Sequence, residues 1–130
     1  MLDLLLTAAA AMEERLNVVL LPHALSVAEW RVLDALYAAG PQPPSALAER
    51  LHLTRGGVTR LADRLRARRL LVRAAAGRAD RRYQTLALTG GGAMLVASLQ
   101  TSVAELEEDW SRSLPVTDRT KLVALLQLVA

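Results

Sequence analysis

Apolar residues recur at helical spacing through most of the chain and contract into two short runs on either side of residue 80. In the first segment Leu2, Leu5, Ala9, Met12, Leu16 and Val19 alternate spacings of three and four, one helix face in heptad register, ending near Leu21 because Pro22 disfavours helical geometry in the residue before it. A second helix is predicted from about Ser26 to Ala39. Ser26 and Glu29 have capping-box spacing, and Leu25 with Trp30 forms a hydrophobic staple across it. Gly40 stops that helix, and Pro41, Pro43 and Pro44 stiffen the connection.

A third helix, about Ser45 to Leu51, leads through a turn at His52 and Leu53 to Thr54, the N-cap of a fourth reaching about Arg69. Val58, Leu61, Ala62 and Leu65 give the fourth helix a buried stripe. At about 100° per residue, Gly56, Thr59, Arg60, Asp63 and Arg64 fall on the opposite face. Leu70 to Ala75 and Gln84 to Leu88 read as strands of a hairpin whose tip is the arginine loop from Ala76 to Tyr83. Thr89 caps a fifth helix to about Ser111, with Leu95, Leu99, Val103, Leu106 and Trp110 in register. Pro115 ends it, and a sixth from Thr117 carries Leu122, Leu125, Leu126 and Val129 on one side.

The predicted fold class is therefore mainly α, six helices with a small β-hairpin wing. A length of 130 residues suits one domain. Within it, 26–89 would form a winged helix-turn-helix lobe, and 1–21 with 90–130 the dimerisation helices, whose apolar surface exceeds what one subunit can cover.

Composition removes several classes of function. With no Cys there are no disulfides, thiolate metal sites or cysteine redox switches, and two His are too few for a His-rich centre. No cofactor or metal is implied, and a cytosolic setting follows. The apolar start lacks the basic flank of a secretory signal, and no stretch is long enough to span a membrane. No Gly-rich phosphate loop after a strand and no nucleophile with a plausible His partner is present, so an enzyme is not expected. Two Trp, two Tyr and no Phe supply too few aromatic platforms for a single-strand binder.

Charge sharpens the picture once it is divided by position. Between Glu49 and Arg82 there are eleven Arg against three acids, a net +8, while the rest of the chain holds five basic residues against ten acids, a net −5. A basic centre between acidic ends is the footprint of a polyanion-binding module flanked by elements with another task. Leu47, Ala48, Leu51, Leu53, Val58 and Leu61 fit the interior positions of a helix-turn-helix, with Ala48 small where the helices cross. His52 stands in the turn where Gly is frequent, and His tolerates positive φ better than most residues.

The run Leu47 to Leu53, the stretch Gly57 to Leu65, the wing triplet Asp80-Arg81-Arg82, and Leu88-Thr89 with Gly92 together resemble the MarR family of bacterial winged-helix regulators, over essentially the whole chain. The resemblance implies that the fourth helix enters the major groove of double-stranded DNA, that the wing reaches the minor groove, and that the first, fifth and sixth helices form a homodimer. It also implies a repressor or activator that a small aromatic or anionic effector releases. His23, Trp30 and Tyr37 are the effector candidates, although for Trp30, as for Trp110, a core or interface anchor explains the residue more simply.

On the residues themselves, Arg60 and Thr59 suit base edges, Arg by a bidentate pair to guanine. Gly56 and Gly57 let bare backbone approach phosphate at the helix start. Arg55, Arg64, Arg68 and Arg73 suit phosphate contacts, and Arg78, Asp80, Arg81 and Arg82 form the basic tip. Arg66 and Arg69 are as readily a solvated face. A second reading stays open, a winged-helix domain serving protein interaction or chromosome architecture without sequence specificity.

Overall fold

The computed structural model describes residues 1–75 and 84–130, so residues 76–83, with the candidates Arg78, Asp80, Arg81 and Arg82, lie outside the described residues. The elements are α1 (Leu2–Leu20), a 3-10 turn (Leu21–His23), α2 (Val27–Ala39), α3 (Pro44–Leu51), α4 (Arg55–Ala67), β1 (Leu71–Ala75), β2 (Gln84–Leu88), α5 (Gly90–Ser111) and α6 (Val116–Val129). Among the described residues, six helices and one hairpin occur in the expected order.

The boundaries follow from caps. Ser26 Oγ accepts from the Glu29 amide and Glu29 Oε1 accepts from the Ser26 amide, both at 3.1 Å, which completes the capping box. Thr54 Oγ1 accepts from Gly57 N and Thr89 Oγ1 from Gly92 N, each at 3.0 Å. Such a side-chain cap stabilises a helix start by about 1 kcal/mol. Among the described residues, three corners turn on non-glycine residues with positive φ, Ala24 at 52°, His52 at 54° and Arg69 at 58°. His52 thus takes the left-handed turn that its place in the sequence required.

β1 and β2 pair antiparallel from Leu71 opposite Leu88 to Ala75 opposite Gln84. Gln42 adds an isolated bridge to the outer side of β2, with Gln42 N to Leu86 O at 3.0 Å and Leu86 N to Gln42 O at 2.7 Å. The sequence reading missed this contact, because a single bridging residue among Pro41, Pro43 and Pro44 has no strand periodicity.

The core gathers Leu33 and Leu36 of α2, Leu47 and Leu51 of α3, Val58, Leu61 and Leu65 of α4, Leu71 and Leu86 of the hairpin, and Val96 and Leu99 of α5. Gly92 is buried against the Leu70 backbone. A Cβ there would overlap the Leu70 carbonyl oxygen and lie 3.0 Å from its carbon, so only glycine lets α5 begin where it does. The ends of the chain differ. From α1 only Leu20 is fully buried, and α6 contributes no residue to the described core.

Candidate nucleic-acid interface

α3 and α4 are joined by the His52 corner, closed by Leu53 N to Ala48 O at 2.9 Å. Ala48, the small residue where the two helices meet, is buried, as are Leu47, Leu51, Val58 and Leu61. Apolar packing therefore fixes one side of α4 and turns the other to solvent. Arg55, Gly56, Thr59, Arg60, Asp63 and Arg64 are all exposed. Nothing lies within 4 Å of a Cβ built on Gly56, so the subunit itself does not require glycine at that position. Thr59 Oγ1 donates to Arg55 O at 3.0 Å, which leaves its methyl group and oxygen lone pairs for any partner.

Asp63 is the one acid on the exposed face of α4. Its Oδ1 accepts from Arg73 Nη2 at 3.1 Å and lies 3.6 Å from Arg66 Nη1, so the negative charge is screened by two guanidinium groups and ties α4 to β1. Arg73 is half-buried in the middle of β1, and its Nε is buried without a hydrogen-bond partner among the described residues. Its side chain is oriented before any polyanion arrives.

Arg68, expected beside Arg55 and Arg64 as a phosphate contact, is differently engaged. Its Nη1 donates to Ala24 O at 2.8 Å and its Nη2 to His23 O at 2.7 Å, across 44 and 45 residues of sequence. No sequence signal distinguishes this arginine from its neighbours, because its partners are backbone carbonyls.

The three effector candidates are not brought together around one cavity. Trp30 is a core residue with 5% exposure, Tyr37 is 42% exposed, and His23 sits half-buried in the 3-10 turn. A groove of about 390 Å³ does run between α1, α2 and α5, walled by Met12, Leu16, Val27, Val103 and Leu106, with Arg31, Glu13 and Glu107 among its polar lining. A larger one, about 580 Å³, lies between α5 and α6 beside Trp110, Leu114, Leu122 and Leu126. Trp30, Tyr37 and His23 line neither. No helix of the described residues is long and apolar enough to cross a membrane.

Comparison with known proteins agrees with this geometry. The family model described as MarR family matches residues 24–82, from the corner before α2 to beyond the end of β1. The chain is 32% identical over 87 residues to the HTH-type transcriptional regulator MhqR of Bacillus subtilis, a match spanning 66% of this chain and 59% of that protein. Among solved structures, a mutant MarR from E. coli complexed with operator DNA superposes with a TM-score of 0.86 at 26% identity, covering 98% of this chain and 91% of that one. The transcriptional regulator PA4135 shares the fold with a TM-score of 0.90 at 22% identity, over 99% of this chain and 94% of that one. The chain is thus similar to MarR-family regulators in sequence over residues 24–82 and shares their winged-helix fold over nearly its whole length.

Proposed function

We propose that the protein is a sequence-specific transcriptional regulator of double-stranded DNA, acting as a homodimeric repressor on a pseudo-palindromic operator in the bacterial cytoplasm. The observation that carries this reading is α4, whose buried stripe holds it against the core while Arg55, Thr59, Arg60 and Arg64 face outward and its one exposed acid is paired. In the reading, α4 lies in the major groove with Arg60 and Thr59 at base edges, Gly56 close to the backbone, and Arg55, Arg64 and Arg73 at phosphates. At the hairpin tip Arg78, Arg81 and Arg82 enter the minor groove, with Asp80 orienting Arg82. The operator-bound E. coli relative lends the same arrangement support.

The homodimer draws on α1, α5 and α6, where Leu2, Leu4, Leu6, Val123 and Leu128 are exposed on elements that contribute little to the core. Residues 26–89 form the DNA-binding lobe and 1–21 with 90–130 the dimerisation helices. A small aromatic or anionic effector, the finer part of the reading, has an apolar groove with Arg31 at its edge between α1, α2 and α5. Salicylate should then raise the melting temperature and weaken operator binding, and no change in either removes the effector from the account.

The experiment that separates this reading from protein interaction or non-specific architecture is binding to a selected duplex in excess random DNA at fixed salt. A regulator keeps its site under that competition, and an architectural protein loses it.

A further inference from the structure

Two corners of the chain, far apart in sequence, meet at one arginine. The first follows α1, where the 3-10 turn ends in Ala24 at φ 52°, closed by Ala24 N to Leu21 O at 3.0 Å and Leu25 N to Leu20 O at 3.4 Å. The second ends α4, where Arg69 at φ 58° is closed by Arg69 N to Arg66 O at 2.9 Å and Leu70 N to Leu65 O at 3.0 Å. Arg68 lies at the end of α4, and its two terminal nitrogens donate to the carbonyls of His23 and Ala24 at 2.7 and 2.8 Å.

These carbonyls end a helical turn, where the backbone dipole is negative and orphan acceptors collect, so a guanidinium is favoured there. A planar fork that engages two fixed acceptors resists rotation in a way that one point contact does not. Close by, Thr89 Oγ1 donates to Arg69 O at 2.6 Å, which also ties the end of α4 to the start of α5. The end of α4 is thus joined through polar contacts to the corner that follows α1 and to the start of α5, and Arg68 makes the first of these joins by a charged group.

We propose that Arg68 is a positioning residue that fixes the angle of α4 against α1 and so sets the separation of the two recognition helices in the dimer. It touches no DNA. This rests on the reading of α4 as a DNA-binding helix and of α1 as part of the dimer interface. The consequence is specific: loss of the fork loosens tolerance for half-site spacing rather than base preference or overall charge attraction.

The test uses the whole chain with Arg68→Ala and Arg68→Lys, the latter keeping the charge without the planar fork. Amide exchange in the free protein is the first measurement, and protection at Ala24 and Leu25 should fall by about tenfold in Arg68→Ala, while amides at the end of α3 are unaffected. The second is affinity for operators whose half-sites are moved one base pair closer or further apart. Wild type should lose at least about tenfold on each, and both variants less than about threefold, with the slope of log affinity against log salt unchanged.

A fall of about 0.9 in that slope for Arg68→Ala, equal on every spacing and with wild-type exchange, makes Arg68 a phosphate contact and overturns the proposal. Arg68→Lys with wild-type spacing dependence overturns it too. If wild type shows no preferred duplex, the functional reading has failed and exchange alone judges the clamp: unchanged protection rejects it, and a tenfold loss upholds it.

Discussion

The lobe from α2 to β2 and the helices outside it treat apolar surface in opposite ways. In the lobe Leu33, Leu47, Val58, Leu65, Leu71 and Leu86 are all almost completely buried. Beyond it, Leu4 is 72% and Leu128 82% exposed, although these segments are as rich in Leu and Val. Charge divides along nearly the same line, +8 between Glu49 and Arg82 and −5 elsewhere. One region has completed its core within the subunit and turns charge outward. The other turns apolar surface outward, at about 25 cal/mol per Å² left in water, and this is the surface the proposed homodimer would cover.

The largest expected effect breaks the comparison at its core. Leu65→Ala should destabilise the fold by about 3 kcal/mol in chemical denaturation, the usual cost of a fully buried Leu, at any protein concentration. Leu128→Ala should leave the subunit fold nearly unchanged and instead weaken self-association in sedimentation. Equal fold destabilisation by both would erase the distinction between the regions. Gly92→Ala comes next, at about 2 to 3 kcal/mol, because the Leu70 carbonyl must move to admit the methyl group. Wild-type stability in that variant would show that the join between hairpin and α5 is slack.

On the outward face, Arg60→Ala should lower operator affinity by about 1 to 3 kcal/mol and relax preference at one base position. Equal weakening on random duplex would make it a phosphate contact. The smallest effect is the most discriminating. Gly56→Ala should stabilise the free protein by up to about 1 kcal/mol, since the methyl group meets open space and alanine favours a helix. The same variant should bind operator more weakly if bare backbone must approach phosphate there. Unchanged binding would leave Gly56 without a role at the interface.

Much of this organisation was legible in the sequence because it is local. The Ser26–Glu29 spacing, the Thr54 and Thr89 caps, and the positive-φ turn at His52 each express themselves within four residues, and the structure has all of them. The exposed face of α4 followed from its periodicity for the same reason. What could not be read were contacts made by backbone groups or by one residue acting alone. Gln42 bridges β2 from within a proline-rich connection, and Arg68 reaches carbonyls that carry no residue identity. The Asp63–Arg73 pair joins residues of two separate elements, one read on the exposed face of the fourth helix and the other as a phosphate contact. Trp30 belongs to the core, where its staple with Leu25 had already put it, so its inclusion among effector candidates gains nothing from the fold.

Selection of bound duplexes from a random library tests the central claim most directly, because one measurement reports both the reading face and the dimer. The expected result is an enriched site with two-fold character, its half-site centres separated by about one helical turn, roughly 10 base pairs. Enrichment of no motif, or of a single motif without a symmetric mate, would contradict the account.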